Sequence, residues 1–284
     1  MAPITHTIES SDATLHVLQE GDGPDLIWFP GGDQTAEDWY EQFAAFKKEF
    51  RCTSFDPRGA GRTVCSAPMP WTIADMARDA VAVITAVCRP PVVAIGLSMG
   101  ALMVQELGLA RPDLVRLGIA MGSRIGQSVF MHEWEGSQVR FSQAGGRLPQ
   151  DFALIHHALQ MYPSEVFGDD GLWERVKPFI ARAYADTRRD PAQLAAQWQA
   201  CEEYDAGARL PDYVPPLHVI GFSHDVQTPP ALGRKLAAAV PRGTFHLLEG
   251  LAHCSMFGHR PEAVSAAIRG ILRHEGIGVP PSRL

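Results

Sequence analysis

One stretch of the 284-residue chain restricts its fold more than any other: Pro91-Pro-Val-Val-Ala-Ile-Gly-Leu-Ser-Met-Gly100. An apolar run of strand length breaks at Gly96-Leu97-Ser98-Met99-Gly100 and then continues in a helical pattern, so the segment reads as strand, sharp turn and helix. A turn of this kind pushes the serine hydroxyl into a cleft, and the flanking glycines are needed because side chains there would collide with neighbouring backbone. Ser98 is the first candidate nucleophile.

Around this segment the chain alternates strands with helices. Ile4 to Glu9 and Thr14 to Leu18 read as a hairpin across Ser10-Ser11-Asp12, and Asp25 to Phe29 as a buried strand opened by the turn at Gly21 to Pro24. Trp39, Phe43, Phe46 and Phe50 recur at helical spacing, Arg51 to Asp56 is a further strand, and Thr72 caps a helix with Ile73, Met76, Ala80, Ile84 and Val87 inside. The elbow helix runs to about Ala110 and the next strand from Val115 to Ala120. Between Gly122 and Asp212 the rhythm stops: helical patterns carry Phe130, Met131, Trp134, Phe141, Phe152, Met161, Trp173, Phe179 and Trp198 without a convincing buried strand. Strands return at Leu217 to Gly221 and Thr244 to Leu248, separated by a helix from Pro230 to Ala239; a last helix starts near Pro261, and Gly276 to Leu284 reads as a loose tail.

Continuous apolar strands in this order imply an α/β fold: a mostly parallel, doubly wound, eight-stranded sheet covered by helices on both faces. Residues 1–121 and 213–284 form its core, and 122–212 an inserted helical cap, or lid.

A net charge of −7 and the absence of a basic run disfavour nucleic acid and anionic membrane surfaces as partners. The opening residues Met1 to Glu9 show neither a signal nor an anchor pattern, which predicts a cytoplasmic protein. The five cysteines are scattered without C-x-x-C spacing, as suits reduced thiols, and receive no catalytic role. His156 and His157 are adjacent and point apart on a helix, and His253 and His259 lack an acidic or cysteine ligand set, so no metal is expected. His6, His16, His156, His157, His246, His259 and His274 are read nearly all as surface histidines.

A serine hydroxyl is a weak nucleophile at neutral pH and needs a base to take its proton and an acid to orient that base. Asp225 lies in the loop after a late strand, within Gly221-Phe-Ser-His-Asp225, and His253 in the loop after the next, within Gly250-Leu-Ala-His253. Loops beyond the carboxyl ends of parallel strands line the ligand crevice of open α/β sheets, so Ser98, Asp225 and His253 can converge there. Met121-Gly122-Ser123, the other place for the acid, holds no carboxylate.

With these residues the chain resembles, over nearly its whole length, the serine branch of the α/β-hydrolase superfamily. Phe29-Pro30-Gly31-Gly32-Asp33, followed by Trp39, resembles the family's oxyanion loop, with Pro30 where histidine is usual. The resemblance implies an oxyanion hole, with the backbone N–H groups of Gly32 and Met99 as donors. Asp56-Pro-Arg58-Gly-Ala-Gly61-Arg62-Thr63 resembles a structural turn of the family, with Thr63 in place of serine. Cys201 to Asp205 before Leu210-Pro211, and Thr228-Pro-Pro230, resemble bacterial enol-lactonases.

The implied activity is hydrolysis of a small, largely apolar ester or lactone through an acyl-enzyme on Ser98, with no cofactor. Carbon–carbon hydrolysis, perhydrolase or haloperoxidase chemistry, acyl transfer and a hydrolase-derived ligand receptor all suit the same residues and stay open, as does a homodimer. Haloalkane dehalogenases and most epoxide hydrolases of this fold carry aspartate at the elbow, which Ser98 disfavours.

Overall fold

A computed structural model describes residues 3–185 and 190–278. Its sheet begins with the hairpin β1 (Ile4–Glu9) and β2 (Ala13–Glu20), which pair antiparallel with Ile4 opposite Gln19 and Glu9 opposite Thr14. The other long strands are β3 (Asp25–Phe29), β4 (Arg51–Phe55), β6 (Val92–Leu97), β7 (Val115–Met121), β8 (Leu217–Phe222) and β9 (Gly243–Leu248). Their order across the sheet is β1-β2-β4-β3-β6-β7-β8-β9. From β4 onward every pairing is parallel, and only β1 with β2 and β2 with β4 run antiparallel.

Eight strands thus lie in line as the sequence pattern implies. A ninth, β5 (Val64–Cys65), pairs with Ala13 and Thr14 of β2 and is too short for an alternating pattern to reveal it.

Alternation along the central strands divides the core in two. Ile27 and Phe29 of β3 pack with Ala94 of β6, Ile84 and Val104 on one face, where α2 (Ile73–Val87), α3 (Met99–Ala110) and α8 (Pro230–Ala239) lie. Leu26 and Trp28 join Val93, Ile95 and Ile268 on the other, with α1 (Tyr40–Phe46) and α9 (Pro261–His274). This is the period-two geometry of a strand buried on both faces. Thr72 caps α2 as its sequence suggests, its hydroxyl accepting from Asp75 N–H at 3.1 Å while the Asp75 carboxylate accepts from Thr72 N–H at 2.9 Å.

Between β7 and β8 stand α4 (Val129–Gln143), α5 (Gln150–Met161), α6 (Asp170–Ala185) and α7 (Pro191–Glu203). They are tied to the sheet through a buried ion pair: Arg124, just past β7, donates to both Glu135 oxygens of α4 at 3.0 and 2.8 Å and to the Cys201 carbonyl of α7 at 2.7 Å. Removing one partner of such a pair would strand a buried charge.

Two expectations need correction. The chain is not loose from Gly276: Ile277 is buried and its N–H donates to the Leu272 carbonyl at 2.8 Å, continuing the close of α9, while residues 279–284 lie outside the described residues. His259 and His16 are not surface residues. His259 is 1% exposed and bridges Ser255 and Glu165, because the loop after β9 folds under α5 rather than out into water.

No helix among the described residues is long and apolar enough to cross a membrane.

Candidate functional site

Ser98 sits where β6 turns into α3, at φ 54° and ψ −119°. A non-glycine residue with positive φ is rare, and here the surrounding turn enforces it. A Cβ on Gly100 would lie 2.0 Å from the Phe29 carbonyl oxygen, and one on Gly96 would lie 2.3 Å from the Gly100 carbonyl oxygen. Both positions of the pentapeptide therefore exclude side chains, and helix α3 approaches the sheet closely enough to leave Ser98 at the cavity floor.

The loops after β8 and β9 are laced together. His224 N–H donates to the Leu251 carbonyl at 2.8 Å, and Gly250 N–H donates to Ser223 Oγ at 2.9 Å. This lacing brings Asp225 beneath His253, with His253 Nδ1 2.7 Å from Asp225 Oδ2. An ionised carboxylate only accepts, so Nδ1 carries the proton and Nε2 keeps its lone pair.

Asp225 is 4% exposed, and its other contacts fix it in place: Oδ1 accepts from the N–H groups of Gln227 at 2.9 Å and Thr228 at 2.8 Å, and Oδ2 accepts from Thr228 Oγ1 at 2.8 Å. A buried carboxylate with this many donors stays an acceptor for the imidazole. Gly122, at φ 53°, flanks the ring so tightly that a Cβ there would lie 2.9 Å from His253 Cε1.

The oxyanion-loop candidate is a four-residue turn closed by Gln34 N–H to the Gly31 carbonyl at 3.2 Å, with Asp33 at φ 64°. Holding a non-glycine residue in the left-handed region costs on the order of 1–2 kcal/mol, somewhat less for aspartate. Gly31 N–H donates to Gln34 Oε1 at 2.7 Å and Asp33 N–H to Gln197 Oε1 at 2.8 Å. Between them lies Gly32, and no atom comes within 4 Å of the place its Cβ would take. Met99 is the first residue of α3, so its N–H has no carbonyl one turn back to receive it.

Ser98, His253, Gly32 and Met99 all border one cavity of about 880 Å³, with Asp225 behind the histidine. The roof is contributed by α4 to α7, through side chains that include Met131, Trp134, Phe141, Phe152 and Trp198.

Residues 26–267 match the sequence profile of the Alpha/beta hydrolase family. The chain belongs to the alpha/beta hydrolase family. Similar members include a Mycobacterium tuberculosis protein named as the non-heme bromoperoxidase BpoC, 29% identical over 253 residues covering 87% of this chain and 93% of that one. A Variovorax paradoxus protein named as the carbamate hydrolase RutD is 25% identical, covering 84% of this chain and 89% of its own. Among solved structures, BpoC superposes with a TM-score of 0.82 at 26% identity over 95% of this chain and 99% of that one. The enol-lactonase of Burkholderia xenovorans LB400 gives 0.82 at 20% identity over 94% and 100%, a likeness of fold alone.

Within this hydrolase the expected site residues are brought to one place, and three neighbours escaped the sequence pattern. Thr228 was visible only as part of Thr228-Pro-Pro230, although an aspartate three residues before a threonine is a turn signal that could have exposed it. Gly122 was noted only for lacking a carboxylate. Gln197 lies in a helical pattern with nothing to distinguish it.

Among the described residues, no group of three or more His, Cys, Asp or Glu side chains is arranged to hold a metal ion. Cys254, next to His253, is no rival nucleophile: burial pushes its thiol well above the ordinary range, so it stays protonated at neutral pH.

Proposed function

We propose that this hydrolase cleaves a carboxylic ester or lactone of a small, largely apolar molecule through an acyl-enzyme on Ser98. The observation that carries this reading is the short Asp225–His253 hydrogen bond in the same cavity wall as a serine held at a strained elbow. In the first step Ser98 Oγ attacks the carbonyl carbon while His253 Nε2 takes the hydroxyl proton. Asp225 holds the Nδ1–H tautomer and stabilises the imidazolium that forms. The carbonyl oxygen gains negative charge between the Gly32 and Met99 N–H groups, donors preorganised by the turn and the helix start. His253 then protonates the leaving alkoxide, and in the second step removes a proton from water as it attacks the acyl-enzyme.

Turnover of p-nitrophenyl esters and simple lactones by wild type and Ser98→Ala tests the reading. The variant is expected to fold normally and lose at least about 10³-fold in kcat. Hydrolysis by Ser98→Ala at the wild-type rate would remove Ser98 from the mechanism.

A second reading draws on the relative named as a bromoperoxidase. Hydrogen peroxide in place of water would take the acyl group from Ser98 and leave as a peracid, with the serine hydroxyl regenerated. Peroxide-dependent bromination in acetate buffer, lost in Ser98→Ala, distinguishes that outcome from hydrolysis alone.

A further inference from the structure

Gln197 joins the inserted helices to the turn that carries Gly32. Its side chain is 1% exposed and uses both ends of its amide: Oε1 accepts from Asp33 N–H at 2.8 Å, and Nε2 donates to the Arg58 carbonyl at 2.6 Å. The partners fix which end is which, since a flipped amide would set donor against donor and acceptor against acceptor. Arg58 in turn is immobile, fully buried and donating to Asp79 at 2.5 and 2.9 Å. Gln197 therefore stands on a rigid base and reaches from α7 to the middle of a turn.

That turn has two arrangements. A closed four-residue turn with positive φ only at its third residue has type II geometry, and here the third residue is Asp33 rather than the glycine this position favours. Rotation of the Gly32–Asp33 peptide to the type I form would release Asp33 from the left-handed region. It would also turn the Asp33 N–H away from Gln197 and bring the Gly32 carbonyl round in its place. Local preference thus favours one state, and the hydrogen bond from the inserted helix holds the other.

We propose that Gln197 is a positioning residue: it locks the Gly32–Asp33 peptide in the type II form and so keeps the Gly32 N–H aimed at the substrate's carbonyl oxygen. This rests on the serine-hydrolase reading. It makes the oxyanion-binding turn depend on α7 being seated.

The test uses the full chain with Gln197→Met, similar in size and without hydrogen bonds, and Gln197→Asn as a shorter second variant should the first not fold. Hydrogen exchange at the Asp33 amide, followed by NMR, is expected to quicken at least about tenfold when its acceptor is removed. On p-nitrophenyl butyrate, kcat is expected to fall about ten- to a hundredfold with KM within about threefold. Adding Asp33→Gly, which holds positive φ without strain, is expected to restore kcat at least about fivefold relative to Gln197→Met alone. A merely structural docking role for Gln197 would not give that rescue.

Full kcat in Gln197→Met, a loss confined to KM, no rescue by Asp33→Gly, or an Asp33 amide still protected would each overturn the lock. A wild type inert to esters, with the Asp33 amide deprotected in Gln197→Met, would instead overturn the hydrolase reading and leave the lock standing.

Discussion

At the ends of β6, β8 and β9, each reactive side chain is held by several short hydrogen bonds; across the cavity, α4 to α7 present large apolar side chains packed on one another. Asp225 accepts from Gln227, Thr228 and His253, whereas Trp134 rests against Phe130 at 6.1 Å between ring centroids and Phe152 stacks on His156 at 6.0 Å. Some of this apolar wall also faces water, with Phe152 57% and Phe141 41% exposed. Directional bonds fix positions to fractions of an ångström, as chemistry requires; apolar contacts fix volume and polarity, as selection of a substrate requires. Changes at the sheet ends should therefore strike kcat, and changes among the helices KM and substrate choice. Gln197 is the exception, a polar anchor among the helices that serves the sheet-end machinery.

The largest effect is expected from Gly122→Val, which forces a β-branched side chain onto a residue at φ 53° and into the 2.9 Å gap beside the His253 ring. Displacing the imidazole by about 1 Å should cost on the order of 10²-fold in kcat with KM little changed. Steady-state kinetics showing a KM effect alone would break the division between the two regions.

Next comes Thr228→Val, which removes the hydroxyl bonded to Asp225 Oδ2 at 2.8 Å and keeps the shape. The loss of a charge-assisted hydrogen bond worth about 1.5 kcal/mol predicts roughly a tenfold fall in kcat. Thr228→Ser should recover most of it, and failure of the serine variant to do so would show that shape matters there more than the hydroxyl.

The smallest effect is expected from Trp134→Ala on α4. It should change KM for p-nitrophenyl esters of different acyl length by about ten-fold or less, in a length-dependent manner, with kcat nearly constant. A uniform fall in kcat across the series would mean that this wall also positions the reacting groups.

The same division explains what could be read from the chain. Strands buried on both faces, such as Val92–Leu97, announce themselves as unbroken apolar runs, and the elbow glycines are dictated by contacts of 2.0 and 2.3 Å with backbone one or two turns away. Asp225 and His253 followed because sheet topology sends the loops after β8 and β9 to the same edge. Thr228 and Gly122 act on the histidine from those loops, and Gln197 reaches the Gly32 turn from 164 positions further along the chain; none of these contacts has a local sequence period. His259 failed for a related reason. Its burial depends on Glu165, 94 positions earlier, which the same bond and Arg260 hold below the usual carboxylate range. Among α4 to α7 the aromatic residues were visible, but which of them border the cavity depends on how four helices pack.

The central claim is that Ser98 is the nucleophile and that His253 activates it. A fluorophosphonate probe, which bonds covalently to an activated serine, tests it most directly when the labelled residue is located by peptide mass spectrometry. Wild type is expected to carry one adduct on Ser98, Ser98→Ala none, and His253→Ala an adduct formed at least about a hundredfold more slowly. An adduct on another residue, or equal labelling rates in wild type and folded His253→Ala, would contradict it.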